Sequence, residues 1–259
     1  MATATTDRLP DLSVWTTETL RLTAFHQQGP QNDDNGWWQD IAGAPPESKN
    51  LKPREGGYEV TGPYGGAALT LRADLMRFDW LLTAAISLDK PMVEYPTIGP
   101  LPDALNTFLP RMIAWLPKAP ALSRLAFGAV VLRPVEDRIS GYKALTPYLP
   151  CVELDPEHSS EFSYSINRHY KADAFDGMHI NRLSKWSVGH FQAMRLTVIA
   201  GQGSRTGAVP GQELHALRLE LDINTDAARR EPLPQARLPA LFDQLVKLAK
   251  EIVEKGDKK

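Results

Sequence analysis

Cysteine is nearly missing from this chain: Cys151 is the single instance in 259 residues. A lone thiol closes no internal disulfide, so no disulfide framework supports the fold. Long apolar runs are missing too. Leu125 to Leu132 (LAFGAVVL) is among the longest, and eight residues reach only about 12 Å as a helix, against a bilayer core of ~30 Å. The opening MATATTDRLPDLS carries neither a basic leader nor an apolar segment, so it does not read as a signal peptide. The expectation is a soluble, cytoplasmic protein with no membrane insertion. Neither sign of charge is in excess. A formal net charge of −2 supplies no global field to attract a polyanion or an acidic membrane, although it leaves room for a local basic patch.

What is present is ordinary in amount. Hydrophobic residues at 42% and charged residues at 23% lie near the globular average and exclude a wholly disordered chain. Proline, 21 residues in all, exceeds the usual ~5% and predicts many stiff, irregular loops. The length suits one large domain or two small ones.

Periodicity divides the chain. Leu20, Leu22 and Ala24 alternate with Thr19, Arg21 and Thr23, the period-two pattern of a half-buried strand. The cluster Asn32-Asp33-Asp34-Asn35 precedes Gly36-Trp37-Trp38-Gln39-Asp40-Ile41, which reads as a short helix stopped at Gly43 and Pro45. Residues 56–61 and 67–73 predict a hairpin around Gly62 to Gly66, and RFDWLLT (77–83) a further strand. Leu105, Phe108, Leu109, Met112, Ile113 and Leu116 recur at helical steps, with a kink expected at Pro110. Residues 122–132 predict a central strand, and 141–149 a short helix. Phe162, Tyr164 and Ile166 alternate cleanly, and 186–200 reads as one long strand with Gly189 as a bulge. After a loop at 201–211, Leu217 to Ile223 alternate again. The terminal helix is the clearest element: Leu241, Leu245, Leu248 and Ile252 line one face, Pro239 opens it and Gly256 ends it.

Strands in consecutive runs, each followed by a helix, predict an α+β fold: a mainly antiparallel sheet against a few helices, including a long C-terminal one. The preferred organisation is a flexible tail (1–14) and one domain (15–259), with sub-halves at 15–117 and 118–259 sharing an element order but too little residue identity for a repeat.

Catalytic patterns are incomplete. The loop Gly201-Gln202-Gly203-Ser204-Arg205-Thr206-Gly207 has Thr206 where a dinucleotide fingerprint needs glycine, and runs on toward a strand. Its reading is a hairpin loop in which Arg205 is free to touch an anion. His26, His158, His169, His179, His190 and His215 show no H-E-x-x-H spacing, and Cys151 has no second cysteine, so no metal site and no cofactor are expected. Cys151 sits in an acidic stretch, the wrong setting for a thiolate. Asp79 and Asp222 are strand carboxylates that suit a general acid/base pair, but arginines such as Arg77 and Arg218 offer the plainer role of ion-pair partner.

Candidate contact residues stand out instead. Ile-Asn-Arg occurs twice, at 166–168 and 180–182, the second continuing Leu183-Ser184-Lys185-Trp186. Arg168 and Arg182 read either as ion pairs that fix strand register, or, joined with Lys171, Lys185 and Trp186, as a basic, aromatic patch for phosphate or single-stranded nucleic acid. Trp37-Trp38 has two readings as well: adjacent rings on a helix leave one at an edge, available to a partner, or both pack beneath a loop.

The stations GWWQDIAG, RFDWLL, RLAFGAV, FSYSINR, INRLSKWS and LRLELDIN, with the terminal LFDQLVKLAKEIVEKGD, resemble an uncharacterised, sporadically distributed bacterial family of about this length. The resemblance covers nearly the whole chain and implies no catalytic residue. Patchy distribution implies a setting among antiviral-defence (phage defence) or toxin–antitoxin-like genes. The functional expectation is therefore a non-enzymatic interaction protein, a sensor or accessory subunit with a protein partner. Nucleic-acid or phosphate binding is the first alternative and an unrecognised hydrolase the second. An unprotected sheet edge also makes room for a homodimer.

Overall fold

The alternating segments assemble into one nine-stranded antiparallel sheet. The computed structural model describes residues 9–27, 36–85, 94–173, 175, 177–198, 206–229 and 231–257. Its strands are β1 (Thr16–His26), β2 (Ser48–Lys52), β3 (Gly57–Tyr64), β4 (Ala67–Ala73), β5 (Arg77–Ala84), β6 (Leu122–Val135), β7 (Ser163–Lys171), β8 (His179–Val198) and β9 (Thr206–Thr225). Their spatial order is β2-β3-β4-β5-β1-β6-β9-β8-β7. The helices are α1 (Trp37–Ala42), α2 (Leu101–Trp115), α3 (Arg138–Leu145) and α4 (Leu238–Lys255). The fold is α+β, mostly sheet, as the element order implies.

Register explains which face is covered. Val60, Leu71, Trp80, Leu22, Phe127 and Ile223 lie opposite one another across β3, β4, β5, β1, β6 and β9. Trp80 meets Trp115 of α2, and Phe127 meets Phe242 of α4, so both long helices lie on this one face. Continued outward, the same row reaches Arg182 on β8 and Arg168 on β7. Apolar residues thus give way to arginines at the sheet margin, beyond the core that the helices seal.

Each helix follows from its apolar spacing. α4 buries Leu241, Phe242, Leu245, Leu248, Ala249, Ile252 and Val253. α2 buries Leu105, Phe108, Met112 and Trp115 and runs on through Pro110. The carbonyl that Pro110 leaves without its helical partner belongs to Asn106, an exposed residue.

Some segments differ from expectation. β2 (SKNLK) was not foreseen, because it is polar throughout and exposed. β3 extends through Tyr64, and its turn shrinks to Gly65-Gly66. α3 starts at Arg138, where Asp137 accepts from the Ser140 N–H at 2.7 Å as a cap. β8 begins at His179 and so includes the second Ile-Asn-Arg. Residues 206–211, expected as loop, belong to β9, where 206–210 pair with β8 and Gly211 falls at a register shift. Of the tail, Leu12–Val14 forms a 3-10 turn, and Leu9 and Leu12 pack on the core. The capping cluster at 32–35 and Arg205 lie outside the described residues.

Candidate functional site

The face of the sheet opposite the helices carries the polar half of most alternations, with β6 presenting Ala126, Gly128, Val130 and Leu132 there. One row runs Glu59, Arg72, Asp79, Thr23, Ala126, Asn224, Asn181, His169; the next runs Thr61, Thr70, Leu81, Arg21, Gly128, Asp222, Leu183, Asn167. A groove of about 300 Å³ crosses the middle, bordered by Arg21, Leu81, Val130, Leu183, Lys185 and Asp222.

A directed ladder of hydrogen bonds ties β7 through β8 to β9 across this face. The Asn167 amide donates to Asn181 at 3.2 Å, Asn181 to Asn224 at 3.0 Å, and Asn224 to the Asp222 carboxylate at 2.9 Å. A carboxylate only accepts, so Asp222 fixes the orientation of all three carboxamides. Arg124 adds a 2.6 Å bond to the Asn224 oxygen. The other Asp222 oxygen stands 3.8 Å from Arg21, whose guanidinium lies over Gly128. A Cβ at Gly128 would stand 3.1 Å from Arg21 Nε, so glycine there leaves Arg21 room to cross β6 toward β9. Arg21 Nε is shielded from solvent and has no acceptor among the described residues.

Toward β3 the same face is held by discrete pairs. Arg72 bonds Glu59 at 2.8 Å, Thr61 meets Thr70 at 3.1 Å, and the Thr23 hydroxyl donates to buried Asp79 at 2.5 Å while Arg77 pairs with it at 3.0 Å. Burial works against ionisation of Glu59, yet the Arg72 hydrogen bond and the Arg72 and Lys52 charges hold its carboxyl below the ordinary value. Lys185 and Arg218 both pair with Glu220, and Arg218 also reaches Glu18. Most cations on this face are matched by carboxylates; Arg124 instead bonds Asn224 and the Thr225 carbonyl, and Lys171 has no ion pair among the described residues.

The residues singled out from the sequence do not form one patch. Neighbours along a strand point to opposite faces. Lys171 and Lys185 therefore lie on the open face, while Arg168, Arg182 and Trp186 face the helices. Trp186 is 0% exposed, against Trp15 and Tyr148. Trp37 and Trp38 are 6% and 3% exposed. Trp37 meets Phe78 and Trp115; Trp38 stacks on Trp80 and donates to the Ala44 carbonyl at 2.9 Å. As contact residues these three tryptophans are corrected to core residues: a six-residue helix wedged between loop and sheet buries both rings. Asp79 and Asp222 are three strands apart, about 14 Å at strand spacing, too far for shared acid/base work. His169 and His179 have neighbouring rings, as do His190 and His215, in separate places. Among the described residues no group of three His, Cys, Asp or Glu is disposed to hold a metal ion.

A second polar cluster gave no sequence signal. Past α4, Gly256 takes φ +71, and a Cβ there would strike the Tyr148 carbonyl oxygen at 2.2 Å; only glycine permits the close turn. That turn delivers Asp257 into the margin of the sheet. Arg168 grips it with bonds of 2.5 and 2.9 Å, Tyr164 donates at 2.6 Å, and the Cys151 thiol lies 3.7 Å away. Burial opposes ionisation of Asp257, but the bonds from Arg168 and Tyr164 outweigh it and hold the carboxyl below its usual range. Burial and then Asp257 push the Tyr164 phenol upward. Arg168 is thus a structural ion-pair partner. Arg182, opposite it, has no ion pair among the described residues, and its Nε is buried without an acceptor.

A third feature lies where β6 ends. Tyr95 donates to the Leu214 carbonyl at 2.9 Å and sits between clefts of about 500 and 270 Å³. Burial, then the Glu18 charge, raises its phenol to about 12, so it remains a donor at any ordinary pH.

No protein-family model, curated protein or solved structure matches the chain. That agrees with a resemblance that carries no assigned activity, and no residue role is transferred from elsewhere. No helix among the described residues is long and apolar enough to cross a membrane.

Proposed function

We propose that this chain is a non-enzymatic interaction protein that receives a protein partner on the open face of its sheet. One observation carries the reading: a nine-stranded sheet has helices on one face, while its other face bears a groove beside an amide ladder already fixed in orientation. Groups held in place before binding lose little entropy on association. Leu183, 36% exposed on β8 at the border of this groove, is the natural apolar anchor, beside groups that hydrogen-bond.

Pairing of the surface cations argues for protein over nucleic acid. Polyanion affinity comes from cations that displace condensed counterions, and Lys185, Arg218, Arg72 and Arg77 are already engaged by carboxylates. A cytoplasmic sensor or accessory subunit of a conflict system is the setting that the resemblance adds to this reading.

Affinity purification from the source cells, followed by calorimetry with the recovered partner, tests it. Leu183→Ser and Asn181→Ala are expected to weaken binding about tenfold or more, the scale of an interface hot spot, with the far-UV circular dichroism kept. Equal affinity in both variants would overturn the assignment to this face. Affinity that falls steeply with salt, together with co-purifying nucleic acid, would replace it with the polyanion reading.

A further inference from the structure

The two margins of the sheet differ in a way that points to self-association. An edge strand presents unpaired backbone N–H and C=O groups, and soluble proteins usually blunt it with shortness, lysine or proline. β2 is blunted in all three ways: five residues, Lys49 and Lys52 within it, Pro45-Pro46 before it and Pro53 directly after. β7 is nearly twice as long, contains no proline, and has its one lysine, Lys171, at its last residue. It pairs with β8 over all nine residues without a bulge, and no described strand bonds its outer side. At about 3.4 Å per residue it offers an edge of about 30 Å. The helix-facing side is also incompletely covered there. Tyr164 and Ile166 are half-buried, and Tyr170 is exposed.

We propose that β7 pairs antiparallel with β7 of a second copy of this chain, joining two sheets edge to edge across a two-fold axis at Asn167. The strand is complementary to itself in this register. On the helix-facing side Tyr164 comes opposite Tyr170 of the second copy, and Ile166 opposite the stem of Arg168, whose charge Asp257 already neutralises. On the open side Asn167 meets its own copy, Ser165 meets His169, and Lys171 meets Ser163. No two like charges are opposed, and aromatic cross-strand pairs are among the favourable ones. A foreign strand would gain the same backbone bonds but has no such side-chain match written into this sequence.

Sedimentation velocity of the full chain over a wide concentration range reads the equilibrium, with a dimer expected at the upper end. Asn167→Lys sets two ammonium groups face to face on the axis and is expected to raise the dissociation constant about tenfold or more. The position is exposed, so far-UV circular dichroism is expected to stay unchanged. In a Cys151→Ser background, Asn167→Cys is expected to form an intermolecular disulfide under mild oxidation, and Ser48→Cys on β2 is not. A wild type that is monomeric throughout rejects the proposal. So does a dimer with unaltered affinity in Asn167→Lys and no cross-link at 167, and so does a monomer that instead takes a strand of another protein along β7.

Discussion

The first and second halves of this molecule share a plan and finish it differently. Each runs strand, short helix, meander, long helix: β1, α1, β2–β5, α2, and then β6, α3, β7–β9, α4. β1 and β6 pair antiparallel at the centre, with α2 and α4 on the same face. In the first half, α1 drives two tryptophans against the sheet, and a fourth, lysine-bearing strand closes the margin. In the second half the meander has three strands, its margin is open, and a carboxylate from beyond α4 is brought back to anchor β7. The open face divides along the same line, with isolated ion pairs and threonines on one side and a continuous amide ladder on the other. Topology fixes where a margin falls; how it is sealed is left to a few side chains.

The comparison is broken most severely by removing an aromatic from the first half. Trp115 touches Trp37, Phe78 and Trp80, and Trp115→Ala is expected to cost ~3–5 kcal/mol in urea unfolding. Because β1 and β6 belong to one sheet, a single transition is expected; a biphasic curve would show that the halves unfold separately. Next in size is Asp257→Ala, expected to cost about 2 kcal/mol, since it leaves Arg168 half-shielded without its carboxylate. The folded carboxyl lies below its unfolded value, so this contribution is present above the ordinary carboxylate range. It is lost as pH falls through the depressed value. The variant is therefore expected to lose part of the acid limb in a plot of stability against pH, and an unchanged limb would remove Asp257 from the account. The smallest effect sharpens the contrast between the two open surfaces. Asn224→Ala interrupts a ladder at a buried position and is expected to cost about 1–2 kcal/mol, whereas Thr70→Ala, losing one half-exposed bond to Thr61, costs about 0.5 kcal/mol. Equal costs would mean that the ladder is no more than a set of separate bonds.

Much of this architecture was legible because burial on one face imposes a period. Leu20-Leu22-Ala24, Leu217 to Ile223 and the apolar stripe of α4 each announced their element. β2 was not legible, since a polar margin strand has no buried face to imprint alternation. Gly207, Pro210 and Gly211 are turn-formers and signal a loop over residues 206–211, yet they sit within β9. Adjacency in sequence suggests one patch for Lys185 and Trp186, but strand geometry sets them on opposite faces. The ladder had no local signal at all: Arg21 and Asp222 are two hundred positions apart, and only the β1–β6–β9 register makes them neighbours. Asp257 was equally silent, because its role depends on a turn that only Gly256 can make.

All six tryptophans of the chain are buried, Trp37, Trp38, Trp80 and Trp115 against one another or Phe78, and Trp15 and Trp186 beside Tyr148. Indoles sealed from water emit at short wavelength and shift to the red when wetted. Native fluorescence therefore reports, without any added label, whether the interior has opened. Replacing Trp15 and Trp186 by phenylalanine would leave an emission that watches the first cluster alone.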